Sequence, residues 1–190
     1  YGTLQSSDPA FTEETPLAPN SPYSASKAGG DLLCRSFYET YKLPVVITRC
    51  SNNYGPLQVE EKFIPLMIKR ALANEPLPIY GTGMNIRDWI YVDDHNEGVW
   101  RAFEKGTAGE VYNFGGNSER QNLDVAKRLL QILGKPESLL SFVQDRKGHD
   151  FRYAINYSKA QRELQWQPSV KFEEEGLKRT VAYYCNLWQK

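Results

Sequence analysis

The sequence predicts an α/β protein. Short β-branched runs alternate with amphipathic stretches along most of the chain. Val45, Val46 and Ile47 form an apolar run expected of a strand buried on both faces, as in a parallel sheet. The segment NLDVAKRLLQILG has the spacing of a helix with one apolar face. No internal repeat, heptad run or low-complexity tract competes with this reading.

Residues 4–22 are rich in Ser, Pro, Thr, Asp and Glu and read as an exposed loop. A helix is expected to start near Ser21, with Pro22 at its first position, where a missing N–H costs nothing. It runs through DLLCRSFYETYK, with Leu32, Leu33, Phe37 and Tyr41 at helical spacing. Asn52, Asn53 and Gly55 then fall just past the C-terminal end of the Val45–Ile47 strand, the edge where open α/β sheets bind ligands. FIPLMIKRALANE reads as a helix and LPIYGTG as a short strand and turn. RDWIYVDDHNEGVWRAFEK reads as a strand leading into a helix capped by an Asp, and EVYNFGG as a strand ending in glycines. Asn122 is expected to cap the NLDVAKRLLQILG helix and Gly134 to stop it. LLSFVQD is a further strand, and YSKAQRELQW and FEEEGLKRTVAYYCNLW are two closing helices.

The 190 residues suit one domain or parts of two. Lys plus Arg and Asp plus Glu each number 23, so no global field favours nucleic acid or an anionic membrane. An anionic ligand must instead be met by a local positive cluster. Cys34, Cys50 and Cys185 are odd in number and lack CxxC spacing, which fits a reducing cytoplasm better than a disulfide framework or a zinc site. No apolar run has the length of a membrane span.

Tyr23 and Lys27 share a helix face, being four residues apart. A lysine ammonium favours a neighbouring phenolate. An ordinary tyrosine titrates near ~10, so poising one as a base at about 7 takes roughly 4 kcal/mol of differential stabilisation. The same spacing also suits a surface tyrosine lying on a lysine stem. Arg87 and Arg146 are candidates for an anion site, because a guanidinium can bond two phosphate oxygens; two solvated arginines are the plainer alternative. Lys62, at a helix start, is a third cation for that anion. Asn52 and Asn53 suit ligand hydroxyls or a chain turn. His149, close in sequence to Arg146, is the better ligand candidate of the two histidines, while His95 is expected to help a helix start.

Together, SPYSASKA, CSNNYGP, EKFIPLMI, LPIYGTG, RDWIYVDDH, YNFGG, NLDV and DRKGHDFRYAI resemble, in order, the signatures of the extended short-chain dehydrogenase/reductase family, most closely its nucleotide-sugar dehydratases. The resemblance covers nearly the whole chain. It implies the C-terminal part of a Rossmann fold (residues 1–57 and 86–116) and a smaller α/β nucleotide-sugar-binding domain (58–85 and 117–190). It also implies an NAD-dependent dehydration of dTDP-glucose to its 4-dehydro-6-deoxy product. Tyr23 would be the base and Lys27 its helper and ribose ligand, with Asn53 beside the cofactor. Asn52, Lys62, Phe63, Pro78, Ile79, Tyr80, Arg87, Asn122, Arg146 and His149 would line the sugar-nucleotide pocket. A homodimer is expected from the same resemblance.

The family's Thr-Asp-Glu segment precedes a Tyr-Gly like Tyr1-Gly2, and its glycine-rich turn comes earlier still. The native chain is therefore expected to be longer, and this portion alone to be inactive. A UDP-sugar epimerase or decarboxylase of the same family, and a non-catalytic nucleotide-sugar-binding module, are the alternatives.

Overall fold

The structure, a computed structural model, describes residues 1–188. Helix α1 (Pro22–Tyr41) starts as expected, with the Ser21 hydroxyl accepting from the Ser24 amide and Pro22 in the first turn. Strand β1 (Ile47–Cys50) begins at the last of the three β-branched residues; Val45 and Val46 precede it, half-buried. The chain stays extended through Ser51 into β2 (Asn52–Tyr54). The two asparagines therefore lie in a strand rather than in a turn beyond one. Next come α2 (Phe63–Leu72), β3 (Leu77–Tyr80), β4 (Ile86–Tyr91) and α3 (Val92–Lys105). Strand β5 (Val111–Phe114), the short β6 (Glu119–Gln121) and α4 (Asn122–Leu133) follow. The chain closes with β7 (Leu140–Val143), the two-residue β8 (Arg152–Tyr153), α5 (Ser158–Leu164), a π-helical turn at Phe172–Gly176 and α6 (Leu177–Trp188).

The extended run 47–54 changes partner midway. Strand β1 pairs in parallel with β5, Ile47 opposite Val111. Strand β2 pairs in parallel with β4, Asn52 opposite Trp89. Strand β4 also takes β6 antiparallel and β8 parallel at its other end, and β3 pairs in parallel with β7. At the change of partner, the Asp88 carboxylate accepts from the amides of Gly116 (2.9 Å) and Ser118 (2.7 Å). The Ser51 hydroxyl accepts from the same Gly116 amide at 3.2 Å. Asp88 is 1% exposed. Burial pushes its carboxyl above the ordinary value, and the amide donors offset part of that rise.

Strand side chains alternate between faces, so β4 serves two cores. Trp89 and Tyr91 join Tyr54, Ile64, Ile68, Leu129, Leu177 and Tyr184 in the larger one, between α2, α4 and α6. Ile90 joins Tyr112, Phe114, Ala160, Leu164 and Trp166 in the other. Helix α5 thus packs with α3 and β5, away from α4 and α6.

Three local expectations are corrected. The segment 4–22 is tied down: Leu4 and Phe11 are buried, and their amides donate to the carbonyls of Arg152 and Ala154, both at 2.9 Å. Its apolar residues are too few for a periodic pattern to reveal them. Asn122 is the first residue of α4 rather than its cap; Gln121 holds the cap position without a side-chain bond, while Gly134 does end the helix with φ 64°. No Asp caps α3, whose cap position is Tyr91. Asp94 lies in the first turn, and its buried carboxylate accepts from the Ser169 amide (3.0 Å), the Ser169 hydroxyl (2.7 Å) and the Val170 amide (2.9 Å).

Removing that carboxylate leaves two amides without a partner. Asp94→Ala is expected to destabilise the protein by about 3 kcal/mol and Asp94→Asn by less, because bonds to a charged acceptor contribute about 1.5–3 kcal/mol each and are not additive. The midpoint of urea unfolding checks this.

Candidate active site

Two groups of polar side chains stand near the start of α1. The first belongs to α1 and β1–β2. Tyr23 is 72% exposed, one turn before the exposed Lys27 on the same helix face. Neither the Tyr23 hydroxyl nor the Lys27 ammonium has a hydrogen-bond partner among the described residues. The Lys27 charge acts on the Cys50 thiol, and Asn53 Nδ2 donates to Cys50 Sγ at 3.1 Å. Burial still pushes that thiol up. Asn53 Oδ1 is buried without a partner.

The second group surrounds the loop after β7. The His149 side chain is 4% exposed, and its Nδ1 lies 2.6 Å from Asp145 Oδ1. Its Nε2 lies 3.1 Å from an Arg146 Nη2. The Arg146 guanidinium stands over the Tyr80 ring at 5.1 Å, and Tyr80 meets the His149 ring edge-on at 6.5 Å. Arg87, on β4, is partly buried, and burial lowers its pKa from the ordinary value. Its Nη atoms donate to the carbonyls of Ile86 (2.7 Å) and Asp150 (2.8 Å). Arg87 thereby pins the loop as well as contributing charge beside Arg146 and His149.

The two groups meet at the start of α1. Asn20 Nδ2 donates to Asp150 Oδ1 at 3.1 Å. Gly148 has φ +68°, and a methyl there would stand 2.9 Å from the Asn20 carbonyl oxygen. Glycine is needed both for the conformation and for the close approach. Asn20, Asp145, Gly148 and Asp150 are the residues that sequence reasoning passed over. Only the density of turn-forming residues around 145–150 hinted at them.

The remaining candidates are scattered. Asn52 lies in β2 opposite Trp89. Lys62 stands at the cap position of α2, with Glu61 as its ion-pair partner at 3.7 Å. Phe63 packs on Trp89 at 6.1 Å between ring centroids. Pro78 is half-buried. Ile79 is 1% exposed, so its side chain serves the core. The Asn122 amide donates to the Asn85 carbonyl at 3.0 Å, and Asn85 Nδ2 donates to Asp150 O at 3.2 Å, which links α4 to the arginine loop. His95 is the fourth residue of α3, its ring against Phe114 at 6.2 Å; burial lowers its pKa. Among the described residues no cluster of His, Cys, Asp and Glu is placed to hold a metal, and no helix is long and apolar enough to cross a membrane.

A parallel α/β scaffold carrying a Tyr–Lys helix beside an arginine–histidine loop defines an extended short-chain dehydrogenase/reductase of Rossmann type. A family model described as GDP-mannose 4,6 dehydratase matches residues 1–180, and the chain belongs to that family. A dTDP-glucose 4,6-dehydratase of Xanthomonas campestris is 53% identical across 97% of this chain and 54% of its own length. The crystal structure of a dTDP-glucose 4,6-dehydratase from Bacillus anthracis in complex with NAD is 49% identical, with a TM-score of 0.93 over 99% of this chain and 59% of its own. A UDP-glucuronic acid 4-epimerase from Bacillus cereus, in complex with UDP-glucuronic acid and NAD, is 33% identical, with a TM-score of 0.92 over 99% of this chain and 59% of its own. The chain thus spans about half the length of the curated relatives it matches.

The first group fits one end of such a cofactor. The phenol and ammonium of Tyr23 and Lys27 offer donors for ribose hydroxyls. The buried, unpartnered Oδ1 of Asn53 offers an acceptor for a ligand N–H or O–H. The described residues contain no glycine-rich strand–turn–helix cradle for its pyrophosphate.

The hydrogen bonds of His149 fix its tautomer. A carboxylate only accepts and a guanidinium only donates, so Nδ1 carries the proton and Nε2 accepts from Arg146. Burial, together with Arg146 and Arg87, pushes the His149 pKa down against the pull of Asp145. Charging the ring therefore opposes the folded arrangement. Its contribution to stability is complete above the ordinary histidine pKa of about 6.5 and is lost as pH falls through the lower folded value. A two-dimensional nitrogen–proton NMR titration is expected to show the Nδ1-protonated tautomer at neutral pH and a midpoint below that ordinary value.

Proposed function

We propose that the whole protein is a dTDP-glucose 4,6-dehydratase that uses NAD and forms dTDP-4-dehydro-6-deoxyglucose. The observation that carries this reading is the junction of the Tyr23–Lys27 helix with the Arg87–Arg146–His149 loop through Asn20 and Asp150. One side offers a base for a hydroxyl, the other an anion site at a fixed remove from it. The identity of about half with dehydratases, against a third with the epimerase, supports dehydration over epimerisation.

Bound NAD would supply the acceptor and donor of hydride. Tyr23 Oη takes the proton of the sugar C4 hydroxyl as that carbon is oxidised; the C4 oxygen stays a carbonyl in the product, so this proton passes on to solvent and balances the one that leaves in water. The Lys27 ammonium, one turn on, stabilises the phenolate and bonds the nicotinamide ribose. Asn53 lends its Oδ1 to the cofactor, and Asn52 in the same strand faces the sugar nucleotide. Arg146 and Arg87 neutralise the diphosphate, with Lys62 as a distant third cation. Tyr80, Phe63 and Pro78 supply ring and ring-like surface for the nucleoside. The carbonyl created at C4 makes the neighbouring C5 hydrogen acidic; loss of that proton, with protonation of the C6 hydroxyl, expels water, and the hydride taken from C4 then returns to C6 as a proton returns to C5. The exposed apolar face of α1, from Leu32 and Leu33 to Phe37 and Tyr41, supports assembly as a homodimer.

The test is turnover of dTDP-glucose by the whole protein with NAD, the product being read by NMR. A 4-keto, 6-deoxy sugar is expected, and Tyr23→Phe is expected to lower kcat by about 10²–10⁴, the range for losing a positioned acid–base group. A product inverted at C4 that retains its C6 hydroxyl would make the protein an epimerase instead.

A further inference from the structure

An anion site has no evident use for a carboxylate, yet Asp145 stands in the arginine loop. We propose that Asp145 is a positioning residue: through His149 it aims the Arg146 guanidinium at the diphosphate of the bound nucleotide. The proposal rests on the assignment of Arg146 to that diphosphate.

The geometry is a three-member relay. Asp145 Oδ1 accepts from His149 Nδ1 at 2.6 Å and from the Arg146 amide at 2.8 Å. His149 Nε2 accepts from Arg146 Nη2 at 3.1 Å. The other carboxylate oxygen lies close to Gly81, where a methyl would stand 3.0 Å from Asp145 Oδ2. Tyr80 closes the other side, under the guanidinium and against the imidazole edge. Arg146 is thus held on one edge and one face, and its remaining N–H groups stay available to a ligand. A long, exposed arginine without such support loses more rotamer freedom on binding.

The relay works in one protonation state only. The charged groups acting on His149 are Asp145, Arg146 and Arg87, with the Tyr80 phenol ring alongside. A proton on Nε2 would remove the acceptor that Arg146 uses and set two cations against each other. Acid that charges the ring should therefore release Arg146.

Thymidine diphosphate is titrated calorimetrically into the whole protein and into its Asp145→Ala, Asp145→Asn and Arg146→Met variants across pH. Asp145→Ala is expected to weaken binding about tenfold, the effect of one lost charge-assisted hydrogen bond. Asp145→Asn keeps an Oδ1 acceptor for Nδ1–H and is expected to stay within about threefold. Wild-type binding should weaken as pH falls through His149 protonation. In Asp145→Asn that limb should move to lower pH, because the carboxylate charge no longer favours the imidazolium. Wild-type affinity in Asp145→Ala, beside a large loss in Arg146→Met, would overturn the positioning role and leave the diphosphate assignment standing. Wild-type affinity in Arg146→Met would remove both. Equal weakening in Asp145→Ala and Asp145→Asn with an unmoved acid limb would make Asp145 a structural residue and end the proposal.

Discussion

The structure depends on a fork held by one buried carboxylate. Where the extended run 47–54 leaves β5 for β4, the two parallel pairings diverge and backbone amides of residues 116–118 lose any strand to pair with. Asp88 receives two of them, and Ser51 shares one. Unmet, each buried amide would cost about 1–3 kcal/mol. With the fork closed, β1 and β2 keep their places, and with them Cys50, Asn52 and Asn53. Parallel α/β sheets bind ligands at such divergences because the crevice there has backbone on both sides.

The second constraint is the short bridge between the Tyr–Lys helix and the arginine loop. Nothing in the hydrophobic cores sets the distance between these two groups, since α1 has no buried residue and the loop follows an edge strand. Asn20, Gly148, Asp150 and Arg87 set it instead, by hydrogen bonds and one close backbone contact. The catalytic base and anion site proposed for these separate elements would need such a link to stay in register.

How far the sequence discloses this arrangement follows from the kind of interaction involved. Periodic apolar spacing is legible, so α1, α2, α4 and α6 and the strands around Ile47, Ile79, Ile90 and Tyr112 can be read from the residues. Strands β6 and β8, three and two residues long, carry too few side chains for any period to register. The bond partners of Asp94 lie about 75 residues away, so nothing local distinguishes it from a helix cap. The site shows the same division. Tyr23 and Lys27 are visible as a spacing, and Arg146 and His149 as neighbours. Asp145 and Asp150 gain meaning only from what the fold brings to them. The family resemblance implies a pocket role for Ile79, yet alternation turns its side chain into the core.

The shared strand β4 has a thermodynamic consequence. Trp89 and Tyr91 belong to one core and Ile90 to the other, so the β4 backbone is shared directly by the two packings. Substitutions confined to opposite cores, such as at Leu129 and Leu164, should sum independently. Pairs that include a β4 residue should show an interaction energy, because distant sites add and sites sharing a backbone shift do not. A six-residue strand thus carries side chains of both cores, and a backbone shift forced on it from one side is felt on the other.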